Sequence, residues 1–206
     1  MTVSRETPPP PEAAGVFASR LPLAERYVEI LADAGVERGL LGPREVPRLW
    51  DRHVLNSAWV MSRVPEGATV ADVGTGAGLP GLVWAIGRPD LEITLVEPLL
   101  RRTTFLQEVV DELRLENVRV VRARAEEVRE VFDVVTARAV AGLDKLARWC
   151  MPLVVPGGVF LALKGSRAQH EVDEAAAPLE RLGARSIVVA TYGDAEIPTT
   201  VVEVTT

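Results

Sequence analysis

The fold is decided by residues 70–81, which read Val70-Ala71-Asp72-Val73-Gly74-Thr75-Gly76-Ala77-Gly78-Leu79-Pro80-Gly81. A short apolar strand runs into an acidic residue and then into four glycines within eight residues. Glycine lets the backbone turn tightly and approach a ligand closely, and the helix that follows a loop of this kind offers unpaired N–H groups. The stretch therefore predicts a strand–loop–helix unit that binds a ligand.

A second apolar strand ends on a carboxylate, Glu97, about 20 residues after the glycines. A carboxylate at this place accepts hydrogen bonds from ribose hydroxyls in nucleotide-binding folds. Asp72 lies directly before the glycines, where it has no role beside a pyrophosphate. It suits a cationic or amino-bearing ligand such as S-adenosylmethionine. The two acids and the glycines together predict a pocket for a nucleoside cofactor.

The composition is that of an ordinary soluble globular protein, with 48% hydrophobic and 25% charged residues over 206 positions. We find no apolar leader and no membrane-length apolar stretch, so we expect a cytoplasmic protein without a membrane partner. The single cysteine, Cys150, excludes a disulfide framework and lies in a pattern typical of a packed thiol. We expect no bound metal and a monomer.

The net charge of −6 argues mildly against a nucleic-acid partner, because phosphate binding needs local positive charge. The basic residues, however, are almost all arginine, with Lys145 and Lys164 the only lysines. Arginine recognises phosphates and base edges where geometry counts. Net charge therefore leaves room for a local basic face that contacts nucleic acid.

The chain divides into three parts. Residues 1–14 are rich in proline and glutamate without periodicity, and we expect them to be disordered. Residues 15–66 form an N-terminal helical segment, since apolar residues recur at helical spacing from Val16 to Ala34 and from Pro43 to Met61. Residues 67–206 form the domain that carries the glycine loop.

That domain alternates strands and helices, which is typical of βαβ crossovers and a mainly parallel sheet. The pattern predicts strands at 69–73, 92–96, 118–122, 132–136 and 158–163. Helices are expected at about 79–87, 99–113, 125–129, 142–152 and 168–182. Two Val-rich runs, 186–191 and 199–204, predict an antiparallel hairpin at the edge of the sheet. The fold class is therefore α/β and Rossmann-like, with an antiparallel end and an N-terminal helical segment.

A nicotinamide dinucleotide site is the usual alternative, because it also places an acid at the end of the second strand. It needs a second mononucleotide-binding half, whereas this chain ends in an antiparallel hairpin. A nicotinamide-dependent oxidoreductase, a methyltransferase for a small molecule and a non-catalytic RNA-binding factor stay open as alternatives. An enclosing apolar lid would favour a small molecule, and an open pocket mouth lined by arginine would favour RNA.

The glycine loop, above all its Leu79-Pro80-Gly81 ending, resembles the cofactor motif of the bacterial ribosomal small-subunit methyltransferase G family, also known as glucose-inhibited division protein B. This resemblance covers about residues 45–165. Further matching motifs follow in order: Arg52-His53, Arg101-Arg102 with Phe105-Leu106, Arg124-Ala125-Glu126-Glu127, Thr136-Ala137-Arg138-Ala139 and Leu161-Ala162-Leu163-Lys164-Gly165. Members of that family methylate N7 of guanine 527 in 16S rRNA.

The resemblance implies a class I fold that depends on S-adenosylmethionine and has 16S rRNA or the small ribosomal subunit as its partner. Gly74 and Leu79 would line the cofactor pocket, Glu97 would bind the ribose, and Ala125-Glu126 would flank the adenine. Arg138 would lie at the mouth of the pocket, after the fourth strand. Together with the rest of the glycine loop, the implied cofactor-binding residues are Asp72, Gly74, Gly76, Gly78, Leu79, Glu97, Ala125, Glu126 and Arg138.

N7 of guanine carries a free lone pair and no proton, so methyl transfer to it needs no general base. Alignment of the reacting atoms would supply most of the catalysis. We therefore assign no certain catalytic residue and take Arg138 and His53 as positioning candidates. The RNA-binding candidates are Arg101, Arg124 and Lys164. The tryptophans fall at apolar positions of predicted helices and are interpreted as core residues: Trp50, Trp59, Trp84 and Trp149.

Overall fold

The computed structural model describes residues 8–138, 141–193 and 198–206 of the chain. Within these residues a single sheet has the strand order β3-β2-β1-β4-β5-β7-β6. Strands β1 to β5 run parallel to one another, while β7 lies antiparallel between β5 and β6. The strands are β1 (Thr69–Val73), β2 (Glu92–Val96), β3 (Val118–Val121), β4 (Phe132–Arg138), β5 (Val154–Lys164), β6 (Ser186–Tyr192) and β7 (Thr199–Thr205).

Helices cover both faces of this sheet. The α-helices are α1 (Pro11–Phe17), α2 (Leu21–Ile30), α3 (Asn56–Ala58), α4 (Gly81–Gly87), α5 (Leu100–Leu113), α6 (Leu143–Cys150) and α7 (Ala168–Arg181). Short 3₁₀ turns lie at Ala18–Arg20, Pro43–Arg48, Trp59–Arg63, Ala125–Glu127 and Met151–Leu153. Two π-helical segments, Leu31–Gly35 and Leu49–Leu55, belong to the N-terminal part.

Successive side chains along the central strands point to opposite faces of the sheet, and both faces are apolar and covered by helices. Val70 packs into the core under the N-terminal helices, α4 and α5, whereas the next residue, Ala71, packs into the core under α6 and α7. Val134 and Val135 divide between the same two cores. Because successive strand side chains point to opposite faces, a continuous apolar run is the pattern of a strand buried on both sides.

The N-terminal part departs from the sequence-based expectation. Disorder was expected for residues 1–14, but Pro11–Phe17 is helical and buries Ala13 and Phe17; residues 1–7 lie outside the described part of the chain. Apolar side chains that drive a helix onto a neighbouring core explain this correction. Residues 43–63 are a succession of 3₁₀, π and α turns instead of one regular helix.

The strands expected in residues 67–206 and the helices expected at 79–87, 99–113, 142–152 and 168–182 are confirmed, with small differences at their ends. The helix expected at 125–129 is instead the short 3₁₀ turn Ala125–Glu127. Arg138 is the last residue of β4 and not a loop residue after it, and β5 begins at Val154, four residues earlier than expected. The connection expected between the two hairpin strands falls partly on residues 194–197, which lie outside the described residues. The N-terminal helices share one hydrophobic core with the sheet. We therefore propose that the boundary between 15–66 and 67–206 separates two sequence patterns with different functions and not two separately packed cores.

The order of the strands positions the site. The chain winds from β1 outward to β3 and then returns to the other side of β1 with β4. In open α/β sheets, ligands bind at this reversal, outside the carboxyl ends of the strands. In the described part of the chain, no helix is long and apolar enough to cross a membrane.

Candidate functional site

The glycine loop leaves β1 at the carboxyl edge of the sheet and is held there by backbone contacts. The N–H of Gly74 donates to the carbonyl of Val96 on the neighbouring strand at 2.8 Å. Gly74, Gly76 and Gly78 have φ values of 67°, 62° and 98°. Residues with side chains rarely adopt these values, so the loop conformation depends on glycine.

Asp72 organises this loop from inside the protein. Its side chain is fully buried, and Oδ2 accepts hydrogen bonds from the Thr75 hydroxyl at 2.6 Å and the Gly81 N–H at 2.8 Å. Burial raises the pKa of Asp72 from its ordinary 3.8 to about 6. The sequence suggested that this carboxylate would face a cationic ligand. In the structure, its Oδ2 atom ties the two ends of the loop together.

A second anchor comes from the N-terminal helices. Tyr27 on α2 is fully buried, and its hydroxyl donates to the carbonyl of Ala77 in the loop at 2.8 Å. An ideal Cβ placed on Gly78 would lie 3.0 Å from this hydroxyl. Sequence periodicity identified Tyr27 only as an apolar helix position, because the partner lies 50 residues away along the chain.

Glu97 is the first residue after β2 and is almost completely buried, at 1% exposure. Oε1 accepts from the Leu99 N–H at 3.1 Å, and Oε2 accepts from the Gly76 N–H at 3.2 Å. Arg102 also contacts Oε2, with Nη1 at 3.3 Å. The carboxylate is therefore oriented by backbone donors and capped by one guanidinium.

A cavity of about 310 Å³ opens at the ends of β1, β2 and β3, within the size range of small-molecule sites. Gly74, Glu97, Ala125 and Glu126 line it, as the resemblance implied, and so does Arg124. Its apolar walls come from Val73, Val96, Pro98, Leu99 and Trp149. One buried carboxylate among apolar walls suits a flat heterocycle joined to a sugar diol. Trp149, interpreted from the sequence as a core residue, lines this cavity instead.

A larger open cleft of about 1080 Å³ lies at the ends of β4 and β5, the strands on the other side of β1. Its cationic side chains come from four different parts of the chain: Arg52, Arg138, Arg148, Lys164 and Arg167. Carboxylates of Glu45, Asp144, Glu171 and Glu174 are interspersed with them. The cleft therefore presents cations at separate points of its wall instead of one uniform positive field.

Arg138 is fixed within this cleft by a histidine. Nη2 of Arg138 lies 2.9 Å from Nδ1 of His53, and Nε2 of His53 lies 2.7 Å from Oε2 of Glu45. Burial, followed by the Arg138 charge, lowers the pKa of His53 below its usual value, and the hydrogen bond to Glu45 opposes this shift. The structure thus joins the two positioning candidates in direct contact and adds Glu45 to them.

Lys164 does not present a free ammonium group. Nζ donates to the Ala141 carbonyl and to Oε2 of Glu171, both at 2.7 Å, and its side chain is only 6% exposed. The Leu143 N–H donates to the same carboxylate oxygen at 2.9 Å. Lys164 and Glu171 therefore hold Ala141 and the first residue of α6, Leu143. The phosphate contact expected for Lys164 finds no support in this geometry.

The remaining predicted residues lie near the site without lining either space. Gly76, Gly78 and Leu79 lie in the glycine loop and line neither the cavity nor the cleft, and Leu79 is buried. Arg101 is exposed at the start of α5 and lines neither the cavity nor the cleft. Across residues 8–138, 141–193 and 198–206 we find no cluster of three or more His, Cys, Asp or Glu side chains arranged to hold a metal ion.

Comparison with known families and proteins agrees with this geometry. Residues 20–197 match the family described as rRNA small subunit methyltransferase G. A protein of that name from Salinispora arenicola is 57% identical, over 95% of this chain and 87% of its own. Another from a Nocardioides species is 60% identical, over 93% of this chain and 78% of its own.

Solved structures support the fold. The crystal structure of a SAM-dependent methyltransferase from Aquifex aeolicus superposes with a TM-score of 0.55, covering 87% of this chain and 97% of its own. The two sequences are 18% identical, so this similarity speaks for the class I architecture alone.

Proposed function

Because the chain belongs to the rRNA small subunit methyltransferase G family, we propose that it transfers a methyl group from S-adenosylmethionine to N7 of guanine 527 in 16S rRNA. The observation that carries this proposal is the pairing of two spaces at the carboxyl edge. A cavity with a buried carboxylate, Glu97, lies at the end of β1, and an open arginine-lined cleft lies at the end of the adjacent strand β4.

The cavity fits the adenosine part of S-adenosylmethionine. The two carboxylate oxygens of Glu97 can accept hydrogen bonds from the two hydroxyls of a ribose diol. Ala125 and Glu126 border the space where a heterocycle would lie. The bound cofactor supplies an electrophilic methyl group on a positively charged sulfur. The glycine loop, held by Asp72 and Tyr27, lets the backbone approach the cofactor closely.

Residues of the cleft would hold the acceptor in line with the methyl group. N7 of guanine needs no general base, so the contribution of the protein is alignment and electrostatics. The base gains positive charge during the reaction, and a cation next to N7 would oppose this. We therefore assign the cleft arginines to phosphates and base edges away from N7, and the interspersed carboxylates favour the charge that develops.

We propose Gly74, Glu97, Ala125 and Glu126 as direct cofactor contacts and Asp72, Gly76, Gly78 and Leu79 as the loop that shapes them. Arg138, which lines the cleft, would contact the acceptor away from N7, and Arg124, which lines the cavity, remains an RNA-binding candidate, as does the exposed Arg101. The small subunit is the proposed partner, and we propose a monomer that acts in the cytoplasm.

Two alternatives lose support. A small-molecule methyltransferase would enclose its substrate, whereas the space beside the cofactor cavity is an open cleft lined by arginines. A nicotinamide-dependent oxidoreductase would need a second parallel half, and the strands that follow β5 are antiparallel.

The decisive experiment is transfer of labelled methyl from S-adenosylmethionine to small subunits that lack the modification, with the modified base mapped. Label on N7 of guanine 527 supports the proposal, and label elsewhere overturns it. Glu97→Ala is the matched variant: loss of a charged acceptor should weaken cofactor binding by about 1–3 kcal/mol. If no label is transferred, calorimetric titration of the wild-type protein with S-adenosylmethionine shows whether the cofactor site or the acceptor is missing.

A further inference from the structure

Three polar side chains form a continuous relay from the N-terminal helical segment into the cleft. Glu45 lies in the 3₁₀ turn Pro43–Arg48, His53 in the π-helical segment Leu49–Leu55, and Arg138 at the end of β4. The two contacts, at 2.7 Å and 2.9 Å, are within hydrogen-bonding distance. The relay thus connects two parts of the chain that are 85 residues apart.

The chemistry of the three groups fixes the direction of both hydrogen bonds. A guanidinium has donors only, so Nδ1 of His53 must accept from Arg138. The imidazole is then neutral with its proton on Nε2, and that N–H donates to the Glu45 carboxylate. Glu45 therefore favours the tautomer that can accept from Arg138. The other tautomer would place the Nδ1–H against an N–H of Arg138 and leave Nε2 without a proton to donate to Glu45.

The surroundings of the relay hold it in place. Arg52 contacts the other carboxylate oxygen of Glu45, with Nη1 3.6 Å from Oε1. The Ser57 hydroxyl donates to the His53 carbonyl at 2.6 Å, and the indole N–H of Trp84 donates to the Ser57 carbonyl at 2.8 Å. The His53 side chain is only 12% exposed. The imidazole is therefore supported from its backbone and from both ring nitrogens.

We propose that Glu45, acting through His53, is a positioning residue that holds the Arg138 guanidinium in the cleft, where it would contact the acceptor away from N7. This inference rests on the proposed function for its kinetic consequence. It assigns a role to the N-terminal segment: that segment sets the orientation of a group on the sheet that faces the acceptor.

The charged groups around the relay define its response to pH. His53 faces Glu45, Arg52 and Arg138, and Arg138 in turn interacts with Tyr27 and Asp72. Protonated His53 cannot accept from a guanidinium and would repel it, so the relay breaks as pH falls through the pKa of His53. The hydrogen bond from His53 to Glu45 raises that pKa, so removal of Glu45 should lower it.

The test combines turnover with nitrogen NMR of the full chain. Only two histidines are present, and His170→Gln assigns the second, exposed one. The wild-type protein should show neutral His53 with the proton on Nε2. Glu45→Ala should give a mixture of tautomers, a lower pKa of His53 and about tenfold lower kcat on small subunits, with cofactor Kd within about twofold.

Glu45→Gln is the rescue variant. Its amide oxygen can accept from Nε2, whereas its NH₂ group would oppose an N–H, so it should keep the Nε2–H tautomer and most of kcat. Glu116→Ala removes an exposed glutamate in the turn before β3 and controls for charge. Thermal unfolding of each variant separates a loss of fold from a loss of positioning.

An unchanged tautomer and unchanged kcat in Glu45→Ala would overturn the relay, as would a wild-type spectrum with the proton on Nδ1. The spectra report on the relay whatever the acceptor is. A wild-type protein that binds cofactor but methylates no small subunit would reject the proposed function, and the tautomer of His53 would still decide the relay.

Discussion

Nη1 of Arg102 lies 3.3 Å from Oε2 of Glu97, on the carboxylate proposed to bind the cofactor ribose. Two backbone N–H groups occupy the same carboxylate, so three of its roughly four acceptor positions are already used. A ribose diol brings two further donors. We therefore expect Arg102 to compete with the ribose for Glu97 and its side chain to move when the diol binds.

Arg102→Ala should tighten the binding of S-adenosylmethionine by about three- to tenfold, the value of one hydrogen bond that no longer has to be displaced. Calorimetric titration measures this directly. Arg181→Ala, which removes an equal charge at the exposed end of α7, is the control. Weaker binding by Arg102→Ala would show that the arginine supports the cofactor instead of competing with it.

Tyr27→Phe should lower the free energy of unfolding by about 1–2 kcal/mol and weaken cofactor binding, because the buried carbonyl of Ala77 loses its donor. Urea denaturation and calorimetry measure the two effects. The chain has one other tyrosine, Tyr192, whose hydroxyl contacts Glu203 in the last hairpin. Tyr192→Phe should affect stability alone, and equal cofactor affinities in the two variants would contradict the role given to Tyr27.

Gly81→Ala should destabilise the fold by about 1–3 kcal/mol through overpacking. An ideal Cβ at this position would lie 2.4 Å from Cδ2 of Leu95 and 2.8 Å from Oδ2 of Asp72. Gly15→Ala, in an open position of α1, should be neutral or stabilising. Thermal unfolding compares them, and equal melting temperatures would mean that the loop relaxes around the added methyl group.

Asp72 should make stability fall as pH rises. Because its folded pKa is about 6 and its ordinary value is 3.8, the folded protein retains a proton that the unfolded chain has released between these values. The difference corresponds to about 3 kcal/mol of stability lost between pH 4 and pH 7. Asp72→Asn lacks this contribution, so its stability relative to wild type should rise by that amount over the same range. Parallel urea denaturation at both pH values checks this; identical slopes would contradict it.

Arg167→Ala should weaken binding to the small subunit and reduce its dependence on salt by about one phosphate contact. Arg167 is exposed on the cleft wall, next to the start of α7. Filter binding at several salt concentrations measures the slope, with Arg129→Ala as the exposed arginine outside the cleft. A salt slope that is unchanged in Arg167→Ala would remove this part of the cleft from the RNA interface.

The sheet was predictable because its strands obey a short-range rule. Expected and observed bounds of β1 and β2 agree, since apolar runs flanked by Gly and Pro mark strands buried on both faces. The residues around 43–63 were less predictable. Apolar spacing there fits a helix, but it does not distinguish α from 3₁₀ or π turns, which are decided by packing against α4 and by Pro43 and Pro47.

The geometry of the candidate site was predictable where a residue type follows a strand end, as for Glu97, which lines the cavity, and the glycines with positive φ. It was not predictable where function depends on a partner far along the chain. Glu45 and Tyr27 carried no signal of their own, and Arg102 was recognised only as part of the Arg101-Arg102 motif and not as a partner of Glu97. Helical periodicity describes which side of a helix is buried and not which atom a polar tip contacts. Lys164 carried a misleading signal, since Glu171 neutralises it only in the folded protein.

The insertion of β7 between β5 and β6 has a consequence for synthesis on the ribosome. Chains emerge from the amino end, so β6 is complete before its partner exists, and the edge of β5 is open for the same interval. Open strand edges pair readily with other chains. Nascent copies of this protein should therefore be most prone to aggregation after residue 192 has emerged and before residue 205 has, when a chaperone would protect them most.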